Sequence, residues 1–257
     1  MCGIVAYTGR QDSAPILLEG LRRLEYRGYD SAGIAVIGTR GLAVVKRTGV
    51  VAELAAALPK RLKGGTGIGH TRWATHGPPS DVNAHPHVDA AGRVALVHNG
   101  ILENAAELRA KLEADGVELV SETDTEVLAH LVGRFVAAGA DLAAAVRQAL
   151  ELVVGAYGIA VVDAEQPGTV VAARQGSPIV LGLGEKEMFV ASDVGAFVRH
   201  TRQVVHLDDG DLGLTGDGEI DGFGFREADR SFGGDGEAFG EELVDRGAAP
   251  EVRSDDE

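Results

Sequence analysis

The sequence has one cysteine, Cys2, and few apolar runs among its 257 residues. A single cysteine excludes an internal disulfide, which fits a reducing compartment and leaves this thiol to be explained by itself. No apolar run approaches the roughly 20 residues that span a bilayer, and the first residues lack the basic start and long apolar stretch of a signal peptide. These absences predict a cytoplasmic protein without a membrane partner.

Positive charge is also scarce, with 24 Lys and Arg residues against 39 Asp and Glu and a formal net charge of -15. The field of such a chain repels nucleic acid and anionic membranes, so neither is expected as a partner. Lysine is rarer still, with five residues against nineteen arginines, none of the five after Lys186. Together with the acid excess this pattern is typical of a high-salt cytoplasm, and a high genomic GC content would explain part of it.

The order of predicted elements is strands, then helices, then strands. Short apolar, partly β-branched runs bounded by Gly, Pro or Asp predict the strands. Apolar residues at helical spacing and capping residues predict the helices. The strands are 2–7, 32–37, 42–47, 93–98, 117–120, 156–163, 169–174, 178–183, 187–191 and 203–207, and the helices are 13–26, 51–58, 103–115, 124–138 and 141–154. This segregation predicts an α+β chain with packed sheets and helices outside.

Two irregular segments and one boundary complete this outline. Glycines and prolines from about Gly64 to Pro86 predict an extended stretch followed by a long functional loop. Asn99-Gly100 tolerates left-handed conformations and predicts a tight bend after the strand that precedes it. From about Leu214 the chain is rich in Gly, Asp and Glu, so we expect one domain over 2–213 and a poorly ordered acidic tail over 214–257.

Cys2 is notable for its position directly after the initiator methionine. Its small side chain favours removal of Met1, which would leave a free α-amine beside the thiol. An α-amine titrates near 7.7 to 8.0, so it can take the thiol proton at neutral pH and make one residue both nucleophile and base. Taken alone, a cysteine at a strand start is more often a small buried apolar residue.

A set of motifs accompanies Cys2 and decides between these interpretations. The set closely resembles, in order and spacing and from Met1 to about Asp211, the glutaminase domain of the hexosamine-forming class II glutamine amidotransferases, the glucosamine-6-phosphate synthases. The motifs are Met1-Cys2-Gly3-Ile4, the segment 24–33 that contains Tyr26-Arg27-Gly28-Tyr29-Asp30, Arg72-Trp73-Ala74-Thr75-His76-Gly77, Asn83-Ala84-His85-Pro86-His87, His98-Asn99-Gly100-Ile101 and Ser121-Glu122-Thr123-Asp124-Thr125-Glu126.

The resemblance implies a fold and a reaction. The fold is that of the N-terminal-nucleophile hydrolases, a four-layer αββα sandwich of two antiparallel sheets between helix layers. Cys2 is then the nucleophile that attacks the side-chain amide of L-glutamine, forms a glutamyl thioester and releases ammonia. The oxyanion hole is implied to be the Asn99 side chain and the Gly100 backbone N–H, donors of the kind this chemistry needs.

The resemblance also implies the residues that hold glutamine. Arg72 matches the arginine that binds the α-carboxylate, with Thr75 and His76 in the same loop, and its planar fork suits that group. Asp124 matches the residue that holds the α-ammonium, and it also suits the first turn of a helix. Trp73 lies in what the family uses as a mobile lid.

Arg27 matches an arginine near the nucleophile, where its charge could favour the thiolate. The same motif could equally be a helix stop and a turn, so the role of Arg27 stays open at this stage.

Other patterns carry less weight. The run Gly64 to Thr71 has the spacing of a phosphate-binding loop, but His70 stands where the lysine must be. Five histidines lie close in sequence, yet no H-E-x-x-H or paired-cysteine spacing accompanies them. We therefore expect neither a metal nor another cofactor.

The sequence departs from the family at its far end. The synthases continue into two sugar-isomerase domains that bind fructose 6-phosphate, and this sequence does not contain them. It could be part of a longer synthase or a free-standing subunit with a separate sugar-isomerase (synthase) partner, and an oligomer stays open. The hypothesis is a glutamine-hydrolysing enzyme, and the alternative is a non-catalytic glutamine-binding regulatory module.

Overall fold

The structure is a computed structural model, and it describes residues 2–216 and 219–220. The expected tail therefore lies outside the described residues except for its first few positions, which are in strands. The helices are α1 (Ser13–Leu24), α2 (Val51–Ala57), α3 (Ala105–Ala114), α4 (Asp124–Ala137) and α5 (Leu142–Leu150). The strands are β1 (Gly3–Gly9), β2 (Ser31–Gly38), β3 (Gly41–Thr48), β4 (Thr66–Arg72), β5 (His87–Val88), β6 (Val94–Leu102), β7 (Gly155–Asp163), β8 (Val170–Gln175), β9 (Val180–Gly184), β10 (Glu187–Ala191), β11 (Val204–His206), β12 (Leu212–Gly216) and β13 (Glu219–Ile220).

These strands form two sheets in the described part of the chain. The first has the order β11-β9-β10-β1-β4-β2-β3 and the second β13-β12-β8-β7-β6-β5. Neighbouring strands run antiparallel throughout both sheets. The long ladder between β6 and β7 pairs Val94 with Asp163 at one end and Leu102 with Gly155 at the other.

Strand β1 shows why the sheets stack as they do. Its side chains alternate between two faces, as the period of a strand requires. Ile4 and Ala6 belong to an apolar core shared by both sheets, together with Ala95 and Val97 of β6. Val5 and Tyr7 point the other way, into a core with helix α1. Both faces of the sheet are therefore buried.

The second sheet is covered in the same manner. Its outer face packs on helices α3, α4 and α5, where Leu108, Val127, Leu128 and Val146 join Leu96 of β6 in one core. The layers are thus helices, sheet, sheet and helices. This is the four-layer αββα sandwich that was expected, and the α+β fold class is confirmed.

The predicted strand at 117–120 is wrong. Residues 117–120 have no strand conformation, and the backbone N–H groups of Val120 and Ser121 donate to the Glu126 carboxylate at 2.9 and 2.7 Å. Because a side chain satisfies these donors, the segment needs no neighbouring strand.

Two further local expectations differ from the structure. The predicted bend at Asn99-Gly100 is wrong, since β6 continues through both residues and stays paired with β7 to Leu102. Helix α5 ends at Leu150 rather than 154, where Leu152 and Val153 donate to carbonyls three residues earlier. Strand β12 spans Leu212–Gly216 and so crosses the expected domain boundary at 213.

The fold brings four chain segments to one end of the sandwich. Cys2 lies directly before β1, and Gly3 pairs with Thr71 near the end of β4. Strand β6 carries Asn99, and α4 begins at Asp124. Among the described residues, none of the helices is long and apolar enough to cross a membrane.

Candidate active site

A cavity of about 570 Å³ opens where these segments meet. All nine residues that the sequence singled out line it, although they span more than a hundred positions of the chain. They are Cys2, Arg27, Arg72, Trp73, Thr75, His76, Asn99, Gly100 and Asp124.

The Cys2 thiol is held against the end of β4. The Trp73 backbone N–H donates to Cys2 Sγ at 3.2 Å, and the thiol can donate in turn to the Trp73 carbonyl at 3.7 Å. Burial raises the pKa of the Cys2 thiol above 9.0, and the Trp73 N–H opposes that rise only in part. The thiol is therefore protonated at neutral pH and needs a base before it can attack.

Asn99 and Gly100 lie opposite Cys2 on β6. The Asn99 side-chain amide donates from Nδ2 to the Cys2 carbonyl at 3.4 Å, and its Oδ1 lies 2.9 Å from His70 Nε2. Gly100 has φ of +136°, and a Cβ there would overlap the Ala156 carbonyl. Only glycine fits this backbone, which leaves the surface of the cavity open at this point.

Arg72 is the last residue of β4 and is buried, with 3% of its surface exposed. Its guanidinium donates to the carbonyls of His76, of Gly77 at 3.1 Å and of Pro78 at 3.5 Å. The cation therefore ties the 76–78 loop to the sheet and also faces the cavity. Asn83 strengthens this loop, because its Nδ2 donates to the Pro78 carbonyl at 3.0 Å.

Asp124 is the first residue of α4 and carries two roles at once. Thr123 caps the helix through its side chain, which accepts from the Glu126 N–H. The Asp124 Oδ2 atom accepts from the Leu102 N–H at 2.9 Å, at the end of β6. Its Oδ1 lies 4.0 Å from His98 Nδ1. The carboxylate is thus anchored to the sheet on one side and adjoins the cavity on the other.

Arg27 contacts the backbone of Cys2. Its Nη1 donates to the Cys2 carbonyl at 3.4 Å and to Ser192 Oγ at 3.2 Å, and its Nη2 pairs with Asp193 at 2.9 Å. Ser192 Oγ also accepts from the Ile4 N–H at 3.0 Å. The 3₁₀ turn at Glu25–Arg27 that follows α1 brings the guanidinium to this position.

The loop after β4 carries the remaining three expected residues. Trp73 is 53% exposed and its ring packs on Gly28, where a Cβ would lie 2.8 Å from Trp73 Cζ3. Thr75 Oγ1 lies 3.3 Å from His76 Nδ1. The Ala74 N–H donates to Asp30 Oδ2 at 2.5 Å, and this contact fixes the start of the loop.

Sequence reasoning missed several residues of the site. Glu103, Ser177 and Pro178 also line the cavity, and no local motif distinguishes them. Ser192 and Asp193 reach the site only through the pairing of β10 with β1. His70 and His85, two of the histidines that lie close in sequence, contact each other, and His70 also contacts Asn99.

The described residues contain no group of three or more His, Cys, Asp or Glu side chains that could hold a metal ion. The cavity instead offers one thiol, two guanidinium groups, carboxylates and amide donors. This set suits a small zwitterion with an amide, because each charge and each polar end would meet a partner of the opposite kind.

Comparison with known proteins agrees with this chemistry. Residues 60–214 match the sequence model of the glutamine amidotransferase domain, which is more than half of the chain. The chain therefore belongs to the glutamine amidotransferase family of enzymes. The matched range holds Arg72, Asn99, Gly100 and Asp124, whereas Cys2 and Arg27 precede it.

Particular relatives narrow the comparison. The isomerizing glutamine–fructose-6-phosphate aminotransferase of Mycolicibacterium smegmatis is 54% identical over 230 residues, covering 85% of this chain and 37% of that protein. The enzyme of the same name from Thermus thermophilus is 57% identical over 213 residues, covering 82% and 35%. The chain thus spans little more than a third of the length of these curated relatives.

A solved structure supports the fold independently. Glutamine phosphoribosylpyrophosphate amidotransferase from B. subtilis superposes with a TM-score of 0.74 at 28% identity, covering 86% of this chain and 48% of that one.

Proposed function

We propose that this chain hydrolyses the side-chain amide of L-glutamine with Cys2 as the nucleophile, giving glutamate and ammonia. The observation that carries the proposal is the common cavity, which places a thiol, an amide donor pair, a guanidinium and a carboxylate around one volume. The named relatives make amino sugars, so the ammonia is proposed to serve the synthesis of glucosamine 6-phosphate.

The first step is attack by the Cys2 sulfur on the glutamine amide carbon. The thiol proton must leave, and the base proposed for it is the α-amine of Cys2 itself, freed by removal of Met1. The buried histidines nearby are unsuitable, because burial lowers the pKa of His70 to about 3 and the pKa of His85 well below 6.5. The S–C bond forms and the carbonyl electron pair moves onto oxygen.

The oxyanion that develops needs donors that are already in place. The Asn99 Nδ2 amide and the Gly100 N–H are proposed for this role, and the Asn99 group lies within reach of Cys2 in support of it. One lost donor of this kind typically raises a barrier by about 2.7–4 kcal/mol. Collapse of the intermediate breaks the C–N bond, and the proton held by the α-amine leaves with ammonia.

Water then attacks the glutamyl thioester, which returns the thiol and releases glutamate. Throughout, Arg72 is proposed to bind the substrate α-carboxylate and Asp124 its α-ammonium. Thr75 and His76 are proposed to border the carboxylate, and Trp73 to cover the bound substrate. For Arg27 we propose a positioning role, since its guanidinium holds the Cys2 carbonyl and the Asp193 carboxylate together.

The ammonia is proposed to pass to an acceptor in the part of the synthase outside the matched region, since this chain spans little more than a third of the curated relatives. A sugar-isomerase unit, joined to the chain or separate from it, is proposed to receive it. Domain bounds of 2–213, extended by β12 to Gly216, are proposed for the glutaminase unit.

Intact-mass measurement after exposure to a glutamine-mimicking diazoketone tests the proposal. We expect the protein to lack Met1 and to gain one adduct, which peptide mapping assigns to Cys2. Retention of Met1, or an unlabelled Cys2 in a protein that still binds glutamine, would overturn it in favour of a binding module.

A Cys2→Ala variant supplies the control. It should bind glutamine by calorimetry but take up no diazoketone and release no ammonia. Ammonia release that persists in this variant would contradict the mechanism.

A further inference from the structure

His70 lies at the centre of the first sheet and is fully buried. It belongs to β4, where it pairs with Ile4 of β1 on one side and with Gly33 of β2 on the other. Both nitrogens of its ring have partners: Nε2 lies 2.9 Å from Asn99 Oδ1, and Nδ1 lies 2.9 Å from His85 Nδ1. The imidazole therefore links the two sheets through Asn99.

With the Asn99 amide oriented as in the structure, Oδ1 toward His70, the protons on this chain of contacts can be placed in one way only. Both rings are neutral at physiological pH, because burial lowers the pKa of each, so each ring carries a single N–H. A carbonyl oxygen can only accept, so His70 Nε2 must donate to Asn99 Oδ1. His70 Nδ1 is then an acceptor, and His85 Nδ1 must carry the proton that it receives.

The remaining nitrogen agrees with this assignment. His85 Nε2 is buried and has no hydrogen-bond partner among the described residues. An unpaired acceptor is easier to bury than an unpaired N–H, since orphaned donors are the rarer case in native structures. The pair thus consists of an Nδ1-protonated His85 and an Nε2-protonated His70.

We propose that His70 and His85 are positioning residues that fix the orientation of the Asn99 amide. With Oδ1 held by His70 Nε2–H, the Asn99 Nδ2 group must face Cys2, which is the orientation an oxyanion donor needs. A flipped amide would place a carbonyl oxygen toward the developing negative charge. The inference rests on the proposed function, because it assigns a role in assembling that oxyanion hole.

Two pairs of substitutions test this direction of donation. The amide nitrogen of Gln can stand near the place of an imidazole Nε2, and that of Asn near the place of Nδ1. His70→Gln keeps a donor toward Asn99, while His70→Asn does not. At His85 the preference should reverse, because His85→Asn keeps a donor toward His70 and His85→Gln does not.

The expected readout is a loss in kcat of about 10- to 100-fold for His70→Asn and His85→Gln, with KM for glutamine within about threefold of the parent value. His70→Gln and His85→Asn should retain most of the parent kcat. A packing role alone would give no such crossed preference. Equal losses within each pair, or losses that fall on KM, would overturn the inference.

His130 offers a matched control, since it is buried, lies on α4 and faces Glu126 at 3.8 Å. His130→Asn should leave kcat within about threefold of the parent value. Failure of the proposed function itself is distinguishable, because the parent chain would then release no ammonia in the same assay.

Nitrogen-15 NMR of the histidine rings gives a readout that does not depend on activity. His70 should show the Nε2-protonated tautomer and His85 the Nδ1-protonated one. The opposite tautomers would refute the proposed direction of donation. Because this measurement is made on the parent protein, it tests the proposal even if a variant folds poorly.

Discussion

The backbone N–H of Trp73 donates a hydrogen bond to Cys2 Sγ at 3.2 Å. The residue that begins the loop over the cavity is therefore bonded to the sulfur at the base of that cavity. Any displacement of this loop that moves the Trp73 backbone also changes the surroundings of the thiol.

The fluorescence of Trp73 should report on this loop directly, because it is the chain's only tryptophan and is 53% exposed. In a Cys2→Ala variant, L-glutamine should shift the emission to shorter wavelength as the ring loses contact with water. A steady-state or stopped-flow fluorescence titration with L-glutamine measures this shift. D-glutamine is the matched control, and an unchanged spectrum at saturating L-glutamine would contradict the lid assignment.

The two charged residues proposed to bind glutamine can be separated with truncated substrates. Arg72→Gln should raise KM for glutamine by roughly 10- to 100-fold, since a hydrogen bond to a charged group contributes about 1.5–3 kcal/mol. It should change KM little for 4-aminobutanamide, which has no α-carboxylate. Asp124→Asn should likewise raise KM for glutamine. It should change KM little for 5-amino-5-oxopentanoate, which lacks the α-ammonium.

If both variants raise KM for both analogues, the substitutions disturb the cavity as a whole instead of removing one charge contact each. That outcome is informative for Asp124, because its carboxylate also accepts from Leu102. Circular dichroism of each variant checks that the fold is kept.

Gly100→Ala should lower kcat by about 100-fold or more, because the new Cβ would force the strand away from the Ala156 carbonyl and displace the proposed oxyanion donor. Gly92→Ala is the matched control. Gly92 also has a positive φ, of +69°, but a Cβ there meets no atom within 4 Å. This control should lose only about 1 kcal/mol of unfolding free energy and keep its kcat.

The Glu126 carboxylate should make stability depend on acid pH. Burial raises its pKa, but His130 and the donors of Val120 and Ser121 outweigh this effect and bring the pKa to about 2, from 4.5. A carboxyl with a lowered folded-state pKa stabilises the fold above its unfolded pKa and loses that contribution as the pH falls toward 2.

The parent chain should therefore exceed Glu126→Gln in unfolding free energy by on the order of 2–3 kcal/mol at pH 6. Urea unfolding at several pH values should show the difference shrinking between about pH 4.5 and pH 2. Glu107→Gln is the control, because its exposed pair with Lys111 contributes little. A difference that does not change with pH would contradict this account.

Much of the fold was predictable because its elements carry strong local patterns. Strands β1, β2, β7 and β10 are short apolar runs with clear ends, and α4 begins at a capping sequence. The errors occur where distant contacts override local signals. Asn99-Gly100 has the residues of a turn, yet pairing with β7 keeps it extended, because each ladder hydrogen bond outweighs a weak turn preference.

The site was predictable as a set of residues but not as an arrangement. Arg72 was predicted to bind a carboxylate, whereas its bonds to the 76–78 carbonyls depend on a loop conformation that tertiary contacts decide. The His70–His85 contact joins a strand to a loop fifteen residues away. No sequence periodicity marks such a pair.

The bond between Leu102 and Asp124 has a consequence for substrate length. Gly100 and Leu102 are two residues apart on one strand, and Asp124 is held to the second of them. The distance between Gly100, the proposed oxyanion donor, and Asp124, the proposed ammonium acceptor, is therefore set by the rigid geometry of a β-strand. We therefore expect asparagine, which is one methylene shorter than glutamine, to be too short to engage both groups at once.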